Sequence, residues 1–139
     1  MALLNFEAWP IGPVQTPIQS TDGHMKLDAP CGAEIRSDPP GSPLAERGLA
    51  FQPSLNPTSP CFLEVAWRNP SIAGVRLRLY PSAAISIEFQ DAHHVAVRST
   101  ASVTPTHTWE TLDFIAPGCQ RLILTGGSHE SPIARIETL

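Results

Sequence analysis

Residues 108–139 read T-W-E-T-L-D-F-I-A-P-G-C-Q-R-L-I-L-T-G-G-S-H-E-S-P-I-A-R-I-E-T-L. Three strand-like runs stand here, separated by two breakers. From Glu110 to Ala116, Leu112 and Phe114 point one way and Thr111, Asp113 and Ile115 the other. That is the period-two alternation of a half-buried strand. Pro117-Gly118 stops the run, because proline lacks an N–H and glycine accepts the positive φ of a tight turn. Arg121 to Thr125 carries Leu-Ile-Leu, an apolar run suited to a strand covered on both faces. Gly126-Gly127-Ser128 breaks it, and Ile133 to Leu139 closes the stretch. Each run is too short for a typical helix. A β-meander or the end of a β-sandwich is the expected structure.

The same alternation extends upstream. In Cys61 to Arg68, Leu63, Val65 and Trp67 share a face; in Gly74 to Tyr80, Val75, Leu77 and Leu79 do; in Ala84 to Gln90, Ile85, Ile87 and Phe89 do. A hairpin joining the last two through Pro81-Ser82-Ala83 would place Leu77 opposite Ile87 and Arg76 opposite Glu88, which matches both apolar faces and charges. The alternative is a crossing from one sheet of a sandwich to the other. Weaker strand patterns span Ala2–Ala8, His24–Asp28, Ala33–Arg36 and Gly48–Gln52, and another begins at Val95 and Val97. Leu44 to Arg47 allows one helical turn at most, and Ser99 to Thr108 reads as a connection. Eleven of the fifteen prolines lie at or before Pro70, so the first half is expected to be loop-rich and the second to hold the regular sheet. The long loops at Ser37–Pro43 and Pro53–Pro60 are places to look for a binding surface. About eight to ten short strands without a convincing helix point to an all-β antiparallel sandwich or barrel.

A length of 139 residues with 42% apolar content suits a single domain, residues 1–139, with one sizeable core. The net charge is −4, the pI is about 5.6, and the nine Lys and Arg are scattered, so no basic face for nucleic acid is expected. No apolar run reaches the ~20 residues needed to span a bilayer. The opening M-A-L-L-N-F-E-A-W-P has no positive n-region or full apolar core, so a Sec signal is not expected. That leaves a cytoplasmic chain or export by another route. Cys31, Cys61 and Cys119 are odd in number and widely spaced, which favours buried free thiols and leaves one bridge, Cys31 to Cys61, as the alternative.

The closing order W-x-x-L-x-F, A-P-G, R-L-I-L-x-G-G and I-A-R-I-E-T-L resembles the end of a galactose-binding-like jelly roll, a class that includes many carbohydrate-binding modules. The resemblance implies a jelly-roll sandwich and a structural calcium where the first and last strands meet. On this chain that points to Glu7 and Glu137, with Glu137 standing where aspartate is usual. Both are hard oxygen donors of the kind calcium takes.

No G-x-S-x-G, H-E-x-x-H, P-loop or dinucleotide fingerprint is present, so a non-catalytic protein is expected. His93-His94 reads as a polar turn pair. Carbohydrate modules stack sugar rings on exposed aromatics and fix hydroxyls with polar groups. Trp67 is expected in the core and Trp109 at its edge. Trp9, in a loop before Pro10, and Tyr80, outward beside Arg78, are the ligand candidates. The expected function is a carbohydrate-binding module. The alternative is a structural or protein-interaction domain of a larger bacterial assembly, with a flat apolar patch or an unprotected sheet edge.

Overall fold

The computed structural model describes residues 2–52, 61–126 and 130–139. The loop at 53–60, one of the two expected binding loops, lies outside them, as do Gly127 and Ser128 of the second breaker. Thirteen strands and no helix make up the described fold: β1 Leu3–Asn5, β2 Gly12–Val14, β3 Ile18–Gln19, β4 Met25–Asp28, β5 Ala33–Asp38, β6 Glu46–Phe51, β7 Leu63–Trp67, β8 Gly74–Leu79, β9 Ile85–Gln90, β10 Ala101–Val103, β11 Glu110–Ile115, β12 Arg121–Gly126 and β13 Ile133–Thr138. They form two antiparallel sheets packed as a sandwich. One runs β11-β8-β13-β6-β5-β2, with β1 also paired to β13; the other runs β10-β9-β12-β7-β4-β3.

The last eight strands carry the architecture. β6, β13, β8 and β11 lie side by side in the first sheet, and β7, β12, β9 and β10 in the second. That interleaving is the eight-stranded jelly-roll order. The expected hairpin between β8 and β9 is therefore overturned: the chain crosses between sheets there, which was the alternative reading. Arg76 lies opposite Asp113 on β11 and Glu137 on β13, not opposite Glu88. The closing stretch is not a meander either, since β11 and β13 share a sheet while β12 lies in the other.

Alternation survives these corrections because it reports only which side chains face inward. Leu63, Val65, Leu77, Leu79, Ile85, Ile87, Leu122, Leu124, Ile133 and Ile136 are all sealed between the sheets. Three elements escape the pattern. β2 and β3 are short and lie in proline-rich sequence, and β10 lies in the Ser/Thr-rich connection. Val97 does not begin a strand; only an isolated bridge, Gln90 to Ala96, forms there. Leu44–Arg47 makes no helical turn, because β6 already begins at Glu46.

The cysteines take the alternative pairing. Cys31 and Cys61 form a disulfide with Cα atoms 5.6 Å apart, which corrects the expectation of three free thiols. Cys119 alone is free; it is buried, and that burial pushes its thiol upward in pKa. A protonated, covered thiol is a poor nucleophile.

Candidate functional site

Two polar turns, Thr21-Asp22-Gly23 and Asn69-Pro70-Ser71, meet at one end of the sandwich. The first is the β3–β4 turn. Ser20 Oγ donates to Asp22 Oδ1 at 2.5 Å, and the His24 backbone N–H donates to the same oxygen at 2.9 Å. Gly23 takes a φ of 75°, which lets the chain reverse within this turn. These bonds hold the Asp22 carboxyl below its usual pKa of 3.8, the Ser20 hydroxyl contributing most and the His24 N–H next. The second turn follows β7, where Asn69 Oδ1 accepts from the Ser71 N–H at 2.9 Å. Both are side-chain-capped turns that fix the polar groups they carry.

Between them lies a cleft of about 370 Å³, lined by Asp22, His24, Trp67, Asn69, Ser71 and the end of β13. Trp67 forms an apolar wall. Its indole N–H donates to the Cys119 carbonyl at 2.8 Å and only 5% of the residue is exposed, so the ring is held in place. Thr138, at the base, accepts the Ala2 N–H on its hydroxyl oxygen. Asp22 Oδ2, Asn69 Nδ2, the His24 ring and Ser71 Oγ have no hydrogen-bond partner among the described residues. A smaller hollow of about 200 Å³ shares His24 and Trp67 with the cleft and adds Gln19, Lys26 and Arg68. Free acceptors and donors beside an apolar wall suit a ligand that both donates and accepts, as a polyol does.

The residues singled out from sequence lie elsewhere. Tyr80 is buried, not outward: the strand ends at Leu79, so strict alternation no longer applies, and the ring sits 5.7 Å from Trp109. Arg78 is engaged. Its Nε donates to Glu46 Oε1 at 2.7 Å, its Nη2 to Glu46 Oε2, and its Nη1 to Thr111 Oγ1 at 2.9 Å. Trp9 packs edge-on against Phe6 at 5.1 Å, and its carbonyl accepts from Arg47 at 3.1 Å. Trp109 brings Arg78 and Tyr80 together, whereas Trp9 reaches them only indirectly through the adjacent Glu46 and Arg47. Trp67 and Trp109 occupy the core and core-edge positions expected of them.

Glu7 and Glu137 each face an arginine. Glu7 forms an ion pair with Arg135 Nε at 3.3 Å, and Glu137 lies 3.9 Å from Arg76 Nη1. Among the described residues no group of three His, Cys, Asp or Glu side chains is placed to hold a metal ion. Each of the two carboxylates thus has a guanidinium beside it. His93 and His94 stand in a turn capped by Asp91 Oδ1, which accepts from the N–H groups of His93 and Val95.

Ion pairing on the outer face of the first sheet has a pH signature. Arg76 donates to Asp113 at 2.7 and 2.9 Å and holds that carboxyl below 3.8. A depressed folded pKa contributes stability above the unfolded value, and the contribution is lost as pH falls through the folded one. Thermal melts across this acid range should therefore show a smaller loss of Tm in Asp113→Asn than in wild type. An equal loss in the two proteins would remove this pair from the acid response.

No protein-family model and no curated protein matches the chain. Two solved structures are similar in part. An isomalto-dextranase of Arthrobacter globiformis, complexed with panose, aligns over 88% of this chain and 24% of its own at 13% identity, with a TM-score of 0.48. The enzymatically active domain of tailspike protein 4 of bacteriophage CBA120 aligns over 82% of this chain and 18% of its own at 14% identity, with a TM-score of 0.37. The chain thus spans a quarter or less of either structure.

Proposed function

We propose that this chain is a non-catalytic binding module for carbohydrate, and that the cleft between the β3–β4 turn and the end of β7 takes the sugar. The carrying observation is the set of unspent polar groups on Asp22, His24, Asn69 and Ser71 around the Trp67 wall. Sugar hydroxyls each donate and accept, so they satisfy a mixed set that neither an apolar ligand nor a simple ion would. The cleft volume falls within the ~300–1,000 Å³ usual for small-molecule sites. The jelly-roll strand order supports the galactose-binding-like resemblance, and the site supports the ligand class.

A glycan array of the folded protein should give hits. Asp22→Asn, which keeps the shape and removes the charged acceptor, should weaken them about tenfold or more. Asn69→Ala should do the same, and Trp9→Ala, outside the cleft, should leave them unchanged. Running the array with calcium and with EDTA reads out any contribution of a cation at Glu7 and Glu137. Absence of all glycan binding by folded protein, or hits indifferent to both cleft variants, would overturn the proposal.

A further inference from the structure

Besides the three-residue β1, which pairs only with β13, the two sheet paths end on four edge strands, and three of the four are blunted. β2 carries Pro13, β3 has two residues and β10 has three. β11 differs: it runs six residues in unbroken register with β8, without proline, lysine or bulge, and no described strand lies beyond it. Such an edge offers a template for strand pairing.

The backbone direction along β11 follows from two contacts. The Ala116 N–H donates to the Ala73 carbonyl, and the Phe114 carbonyl points at Gly74. Even-numbered residues therefore turn their backbone groups toward β8, and Thr111, Asp113 and Ile115 turn theirs to the open edge. Arg98 Nη1 occupies the Ile115 carbonyl at 3.3 Å from the open side, which agrees. The open N–H and C=O pairs are thus those of Thr111 and Asp113. Their side chains are solvent-exposed, as is Ile115 at 78%.

We infer that β11 pairs antiparallel with β11 of a second copy, about a two-fold axis at Leu112. Charge, parity and the extent of β11 select this register for a second copy; centring on Thr111 would need Trp109, which lies outside β11, to pair with Asp113. Facing side chains match only when the paired numbers sum to an even value. Centring on Asp113 sets two carboxylates directly opposite, a destabilising pair. Centring on Leu112 sets Thr111 opposite Asp113 twice, both with outward backbone groups, so four main-chain hydrogen bonds form. It also sets each Ile115 opposite Trp109 of the other copy and each Leu112 against its mate. The isologous contact is closed, so it stops at a dimer.

Sedimentation of the wild-type chain should show a reversible rise in mass from 15.0 kDa toward twice that value with concentration. Thr111→Asp leaves a partner for Arg78 but sets carboxylates opposite each other twice, so it should weaken association about tenfold. Mild oxidation should link Leu112→Cys into a dimer on a non-reducing gel. Asp113→Cys should not be linked, and nor should wild type, whose Cys119 is buried. A wild-type chain that stays monomeric at its highest soluble concentration overturns the inference, as does crosslinking through Asp113→Cys instead of Leu112→Cys.

Discussion

Gly74→Ala should be among the most damaging single-methyl substitutions in this protein, and Gly118→Ala a mild one, although Gly118 has the less ordinary backbone. A Cβ on Gly74 would overlap the Phe114 carbonyl oxygen and stand 3.1 Å from its carbon. Those atoms are backbone, and they belong to the strand paired with β8. Nothing there can swing aside as a side-chain tip would. To admit the methyl, β11 must move off β8, breaking main-chain hydrogen bonds and disturbing the Arg76–Asp113 pair. Gly118 takes a φ of 76° with open space around its Cβ position, so alanine there meets only backbone strain. That strain costs about 1–2 kcal/mol. The steric case reaches about 3 kcal/mol or more, a fall in Tm on the order of 10 °C. Urea unfolding of both variants measures the difference. If Gly74→Ala proves no worse than Gly118→Ala, β8 and β11 are not packed as closely as described.

That closeness was only half legible in the sequence. Alternation in 74–80 and 110–116 reports which side chains turn inward, and the structure agrees at Val75, Leu77, Leu79, Leu112 and Phe114. It says nothing about which strand lies alongside. Arg76 opposite Glu88 and Arg76 opposite Asp113 both pair opposite charges and both set inward faces together. The choice is made by sheet-crossing connections, and local pattern does not encode them. Tyr80 shows the limit in another form. Its outward assignment assumed that the strand continued, but β8 ends one residue earlier and the ring turns under Trp109.

The cleft was written in the sequence as punctuation. Thr21-Asp22-Gly23 reads as a turn and Asn69-Pro70-Ser71 as a strand terminator, and both are. Asp and Asn stand there because their side chains cap turns, and the oxygen used for capping leaves the rest of the group unspent. Their shared location depends on β4 pairing with β7, where Met25 lies opposite Trp67. Sequence spacing of more than forty residues carries no trace of that register. Sugar stacking calls for exposed rings, whereas Trp67 sits in the core as its alternation predicts and meets the cleft only as a wall.

Reducing the Cys31–Cys61 disulfide should lower stability by about 3–4 kcal/mol while leaving the folded architecture in place. The magnitude follows from the 30-residue separation, because closing a loop of that length removes conformational entropy from the unfolded chain. The bridge holds because β5 and β6 form a hairpin that brings the chain back: Ala33 lies opposite Phe51, and the Gln52 N–H donates to the Gly32 carbonyl at 3.0 Å. Residue 31 therefore stands where the chain leaves β6 on its way to β7 in the other sheet. The main core is sealed by strands that the bridge does not touch, so the Cys31→Ser/Cys61→Ser double variant should keep its β-sheet circular dichroism and melt about 10 °C lower. Thiol titration supplies the independent readout. Oxidised native protein should react slowly or not at all, since Cys119 is buried. The reduced protein should expose a thiol at Cys31, the buried Cys61 should react more slowly, and denaturant should add Cys119. Two reactive thiols in native protein purified under oxidising conditions, or a Tm indifferent to reductant, would show that the hairpin return does not hold these cysteines together.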